Sequence, residues 1–86
     1  MDSQLTDFEQ IAELDPAFLA QALAQFPTAE LVKAAMGASP AVNALLERIR
    51  DGAAFAELRL KTGPVRIEEV EALQRRMLNA VNEAGR

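Results

Sequence analysis

The strongest hydrophobic pattern in the chain lies near its C-terminus. Four apolar residues recur there at intervals of three and four, along one stripe of an α-helix: Val70, Leu73, Met77 and Val81. The pattern predicts a long amphipathic helix whose stripe joins the core. It must begin after Gly63-Pro64, because proline lacks the amide donor that would continue a preceding helix.

Capping residues and prolines predict five further helices upstream. Asp15-Pro16 and Ser39-Pro40 each combine a preferred N-cap residue with a proline at the first helical position. Thr6 and Glu9 have the spacing of a capping box, which predicts a short first helix. The other boundaries fall at Pro27-Thr28 and Asp51-Gly52.

The apolar spacing also predicts which side of each helix faces inward. The predicted inward sets are Phe8, Ile11 and Leu14; Phe18, Leu19, Ala22, Leu23 and Phe26; Leu31, Val32, Ala35 and Met36; Val42, Leu45, Leu46 and Ile49; Phe55 and Leu58. Asn43 falls on the polar side of the fourth helix. Gly37 and Gly63 follow helices, so we expect them to close those helices in the left-handed conformation.

Length and composition favour one all-α domain. The chain has 86 residues, of which half are hydrophobic but only four are aromatic. A chain of this size supports one modest core, and short apolar side chains favour closely packed helices. We expect about six short helices in a compact armadillo-like or helical-bundle domain over residues 6–85, preceded by a disordered tail, residues 1–5.

Charge and missing residue types exclude several functions. The net charge is −4, and Trp and Tyr are absent, which argues against nucleic-acid binding. Without cysteine or histidine, the chain has neither a disulfide framework nor the usual zinc ligands and general base. We therefore expect no enzyme, metal or cofactor. With no signal sequence and no apolar membrane span, we expect a cytoplasmic protein.

Three groups of residues, in this order and at these intervals, resemble the C-terminal domain of the flagellar motor switch protein FliG. They are Phe8-Glu9-Gln10-Ile11 with Leu14-Asp15; Gly37-Ala38-Ser39; and Gly63-Pro64-Val65-Arg66-Ile67 with Val70-Glu71 and Gln74. The resemblance covers about residues 8–85. It implies a helical, armadillo-like domain of the rotor's switch ring, whose charged helix meets the cytoplasmic part of the stator.

The resemblance also implies candidate contact residues. Arg66 matches the family's arginine directly, the family's acidic pair falls near Glu57 and Leu58, and its upstream arginine falls near Arg50. Adjacent charges add Arg59 and Lys61 to the set. The chain is about three residues shorter than the family pattern between Gly37 and Gly63, and Met36 replaces a typical lysine.

Two interpretations stay open at this point. In the first, the chain is a protein-interaction domain at the flagellar rotor that contacts stator or switch proteins and takes part in motility and chemotaxis. In the second, it is a stand-alone structural adaptor, without the other FliG domains and without motor function, that self-associates or docks on another protein through an apolar helix face. The mixed charges on the fourth and fifth helices are compatible with a polar docking surface, but taken alone they favour an ordinary solvated helix face, which has the same pattern.

Overall fold

A computed structural model describes residues 5–85 of the chain. Along that part, a short 3-10 helix precedes five α-helices. The 3-10 helix is Phe8–Glu13, and the α-helices are α1 (Pro16–Ala22), α2 (Thr28–Ala35), α3 (Pro40–Ile49), α4 (Gly52–Lys61) and α5 (Ile67–Ala84). The all-α prediction and the six-helix count are both confirmed.

Local sequence signals explain most helix starts. The Asp15 carboxylate accepts a hydrogen bond from the Phe18 amide at 3.2 Å, and proline follows it at the first helical position. Ser39 begins α3 in the same way, although its hydroxyl lies 3.4 Å from the amide that it caps. The Asp51 carboxylate accepts from the Ala53 amide at 3.0 Å. These caps satisfy amides that have no partner within the first helical turn.

The first helix begins one residue later than predicted. Asp7 is its N-cap and accepts from the Glu9 amide, while the Gln10 side chain accepts from the Asp7 amide, both at 3.0 Å. The capping box therefore uses Asp7 and Gln10, and the prediction of Thr6 and Glu9 is wrong. The reason is tertiary: the Glu9 carboxylate instead accepts from the Ser39 amide at 3.0 Å, across to the start of α3.

The core is built around α2, which packs against α3, α4 and α5. The 3-10 helix and α1 each pack against both α3 and α5. The predicted α5 stripe is confirmed, since all four residues are buried: Val70, Leu73, Met77 and Val81. Leu31 and Leu46, each with no exposed surface, represent α2 and α3 in the same core. Burial of these side chains supplies the main favourable term in folding.

Two predicted orientations are wrong. Met36 keeps 41% of its surface exposed, and Ala34 is buried in its place. Because α2 is covered by three helices, its buried surface is wider than one stripe, and the small Ala34 suits the close approach of α5. Asn43 is 8% exposed rather than solvated.

The glycines also differ from prediction, because none in the described chain has a positive φ. Gly37 is required for space instead: a Cβ atom there would lie 2.9 Å from Cγ1 of Val70. Gly63 lies between α4 and α5, where a Cβ atom would meet nothing within 4 Å. The chain leaves α4 at Thr62 in extended conformation, so Pro64 and not a left-handed glycine accounts for the break.

Of the predicted tail, residues 1–4 lie outside the described residues. Leu5 is held by Asn82 of α5: its amide donates to Asn82 Oδ1 at 2.8 Å, and its carbonyl accepts from Asn82 Nδ2 at 3.0 Å. The extent of the single domain, residues 6–85, stays a prediction. No helix in residues 5–85 is long and apolar enough to cross a membrane.

Candidate interaction surface

Glu57 and Lys61 form an exposed charged pair on α4. Their side chains lie one turn apart on α4, with Lys61 Nζ 2.8 Å from Glu57 Oε1, and about two thirds of each side chain is open to solvent (66% and 67%). Exposed pairs of this kind contribute little to stability, because water and salt screen them. Separating the two charges therefore costs little free energy, so each can pair with a charged group of a partner.

Arg59 turns toward α3. Its Nη1 donates to Asn43 Oδ1 at 2.8 Å. The sequence predicts that Arg59 faces outward, but one edge of its guanidinium group is bound within the domain. The Asn43 amide in turn donates to the carbonyls of Ala35 (2.9 Å), Ala38 (3.3 Å) and Ser39 (3.0 Å). These contacts satisfy backbone acceptors between α2 and α3 and connect α4 to them through one arginine. A shallow open groove of about 330 Å³ lies beside Arg59, with Glu47 also on its wall.

Arg50 uses its donors inside the domain. Its Nη2 donates to the carbonyls of Leu23 and Phe26, each at 2.7 Å, and its Nη1 donates to the Thr28 hydroxyl at 3.1 Å. These carbonyls lie just after α1, where helix ends leave acceptors unsatisfied, and a positive charge is favourable there. Arg50 thus joins the end of α3 to the turn between α1 and α2.

Arg66 has a different environment. It is the N-cap residue of α5, and its carbonyl accepts from the Glu69 and Val70 amides at 3.0 and 3.1 Å. Its side chain is exposed and makes no hydrogen bond or ion pair with any residue of the described chain. Among the five candidates, Arg66 is therefore the charge whose donors remain available.

The acidic start of α5 is partly neutralised by α2. Lys33 Nζ lies 3.0 Å from Glu69 Oε2, and both side chains are partly exposed. Carboxylates in the first turn of a helix interact favourably with the helix dipole. In residues 5–85, no group of three or more acidic side chains converges closely enough to hold a metal ion.

Residues that carry the family resemblance meet in space. Gly37 allows α2 to end against Val70 of α5, and Gln74 Nε2 donates to the Ala34 carbonyl at 2.8 Å. The resemblance therefore includes the contact that positions α5 on α2. These residues are far apart in sequence, and the packing of α5 on α2 brings them together.

A protein-family model described as the FliG C-terminal domain matches residues 1–86, the whole chain. The chain belongs to the FliG C-terminal domain family. This family consists of non-catalytic interaction domains of the flagellar motor switch, on its cytoplasmic side. Comparison with curated proteins and with solved structures found no significant match.

Sequence reasoning did not identify Asn43 as the central polar residue of this FliG C-terminal domain. A signal was present, because asparagine has a low helix propensity and here lies inside a helix, four residues after its cap. Such a residue in a helix interior is better explained by a buried hydrogen-bond role than by a solvated face.

Proposed function

We propose that this FliG C-terminal domain acts at the cytoplasmic face of the flagellar basal body as a non-catalytic interaction module. It binds a stator or switch protein and so contributes to torque or its regulation. The family match over the whole chain is the observation that carries this proposal. The charged residues at the end of α4 and the start of α5 define the surface.

Arg66 is the leading contact residue of the proposed surface, followed by Glu57 and Lys61. Exposed charges at the rim of an interface chiefly accelerate association and select the partner, and their effect weakens with salt. Arg59 contributes the side of its guanidinium that Asn43 leaves open. Arg50 acts indirectly, by holding the turn after α1, and we do not expect it to touch the partner.

The test measures binding of the purified chain to purified switch and stator proteins from the same cell, by calorimetry at low and moderate salt. Arg66→Glu should weaken binding about tenfold, because it reverses the charge that the proposed surface presents to its partner. The matched control is Arg75→Glu, an exposed arginine in the middle of α5. It should leave binding within about twofold and, like Arg66→Glu, should retain helicity.

Motility gives the second measurement. Deletion of the protein should reduce swimming speed or switching, and the Arg66→Glu variant should restore these less well than the Arg75→Glu variant. Absence of binding to every switch and stator protein, together with normal motility after deletion, would refute the motor assignment.

A structural adaptor is the second candidate function, and one observation favours it. Leu60, the second-to-last residue of α4, has 89% of its surface exposed, so a large apolar side chain stands between the charged residues Arg59 and Lys61. This feature has no use in a purely charged contact.

A further inference from the structure

Two amide groups connect the N-terminal 3-10 helix to α4. The first is the peptide group that joins Ala38 to Ser39: its N–H donates to the Glu9 carboxylate at 3.0 Å, and its carbonyl accepts from Asn43 Nδ2 at 3.3 Å. The second is the Asn43 carboxamide, whose Oδ1 accepts from Arg59 Nη1 at 2.8 Å. Three hydrogen bonds therefore run without interruption from a carboxylate to a guanidinium group, and we call them the Glu9–Arg59 network.

Every bond in the Glu9–Arg59 network has the same direction. Each amide group donates on the side of Glu9 and accepts on the side of Arg59. The carboxylate draws electron density toward the carbonyl oxygen of the amide that donates to it, which makes that oxygen a better acceptor, and the guanidinium polarises the same groups in the same sense. The orientation of the Asn43 carboxamide is the only one that fits, because its nitrogen faces backbone carbonyls and its oxygen faces a guanidinium donor.

We propose that this network couples the position of α4 to the 3-10 helix, which makes Glu9 a positioning residue for the charged surface on α4. Helix α4 has one fully buried side chain, Phe55, so its orientation depends on the Arg59 contact as well. Asn43 is only 8% exposed, so water competes little with the middle of the network, where polarisation is strongest. Both charged ends lie at the surface, where other molecules can reach them.

The coupling works in both directions. A change that weakens the Arg59 bond must weaken the Glu9 bond by the same free energy, and the reverse, because the two bonds are linked through shared groups. The consequence for binding rests on the proposed motor function. A partner that binds beside Glu57 and Lys61 and draws Arg59 away from Asn43 would thereby loosen the 3-10 helix from the start of α3.

Nuclear magnetic resonance of the full chain tests the coupling without any partner. Glu9→Gln removes the charge at one end and keeps the length of the side chain. The Asn43 carboxamide and Arg59 guanidinium proton signals should then move to higher field, as they do when hydrogen bonds weaken. The backbone amides of α4 should exchange with solvent about twofold to threefold faster. The matched control is Glu13→Gln, an exposed carboxylate of the same 3-10 helix, which should change neither measurement.

The opposite end provides the reverse test. Arg59→Met should move the Ser39 backbone amide proton to higher field, although Glu9 is still present to accept from it. The matched control is Arg48→Met, an exposed arginine on α3. The effect should disappear when Asn43→Ala is present in both chains of the comparison, because the middle of the network is then missing. An effect that persists there would act through space and would overturn coupling through these bonds.

Two further results would overturn the proposal. The first is a Glu9→Gln variant whose Asn43 and Arg59 signals match those of the unsubstituted chain. The second is equal faster exchange throughout the molecule, which would indicate a general loss of stability and no specific link to α4.

Calorimetry with the purified switch and stator proteins then tests the consequence for binding. Glu9→Gln should weaken binding about twofold to threefold, although Glu9 lies outside the proposed surface, and Glu13→Gln should not. Unchanged binding together with changed signals at Arg59 would overturn the role of Glu9 in positioning that surface. Absence of any motor partner would refute the proposed function alone, because the resonance measurements require only this chain.

Discussion

Helices α4 and α5 are positioned by different means. Helix α5 has 18 residues and one continuous stripe of four buried side chains, with charged residues on the other faces. Helix α4 has 10 residues, one fully buried side chain, Phe55, and apolar residues on both sides. A regular stripe gives a helix one orientation of lowest energy, since any rotation exposes apolar surface.

Because α4 lacks such a stripe, individual anchors hold it. Phe55 fills the core, Arg59 binds Asn43, and the Asp51 cap and Pro64 mark the two ends. A repeated apolar stripe is therefore needed only where no individual contact fixes the rotation of a helix. It also leaves the outward side of α4 available for binding.

The largest effect should come from Phe55→Ala. Loss of a buried phenylalanine costs about 3–5 kcal/mol, and α4 has no second fully buried side chain to hold it. Urea unfolding followed by circular dichroism measures the loss, since the chain has no Trp or Tyr to report by fluorescence. Hydrogen exchange should show α4 losing protection before α5. In the control Leu73→Ala, the helices should lose protection together, and a separate opening of α5 would contradict the comparison.

Asn43→Ala should cost about 1–3 kcal/mol of unfolding free energy. It leaves Arg59 without its acceptor and removes the donor to three backbone carbonyls. Arg59→Ala should cost less, because the carbonyl contacts survive. If the two variants are equally stable in urea, the link between α3 and α4 matters more than the carbonyl contacts, and the role assigned to Asn43 is wrong.

Gly37→Ala tests how closely α5 approaches α2. The added methyl would lie 2.9 Å from Val70 Cγ1, so the helices must separate or the valine must rotate, at about 1–3 kcal/mol. Gly63→Ala is the control, because its methyl meets nothing within 4 Å and φ there is not positive. It should be neutral or stabilising by about 0.4–1 kcal/mol. Thermal unfolding of both variants distinguishes a need for space from a need for a glycine conformation.

The smallest effects are expected at the surface ion pairs. Lys61→Ala removes the Glu57 pair on α4, and Lys33→Ala removes the pair that joins α2 to α5. Each should change stability by no more than about 0.5 kcal/mol, because the charges are solvated. Chemical denaturation at low and high salt measures this change. A loss above about 1 kcal/mol for Lys33→Ala would mean that a charge, and not the apolar stripe, holds the start of α5.

The positions of the helices could be predicted from the sequence more accurately than the orientations of individual side chains. Helix starts at Asp15, Ser39 and Asp51 were predictable because a cap and its amides lie within three residues of each other. For the proposed contact surface, the sequence identified the charged residues but not which of them point outward. Whether an arginine is free, like Arg66, or bound inward, like Arg50, depends on carbonyls more than twenty residues away.

The all-α class, the helix boundaries to within a few residues and the core stripe of α5 are all readable in the sequence, because they follow from local chemistry or from a regular spacing that one helix can satisfy alone. The likeness to FliG rests instead on the order and intervals of motifs along the whole chain. Three features appear only once the helices are packed: the burial of Asn43, the close packing at Gly37 and the exposure of the outward side of α4. These features depend on which helices become neighbours, and the spacing of residues within one helix does not contain that information.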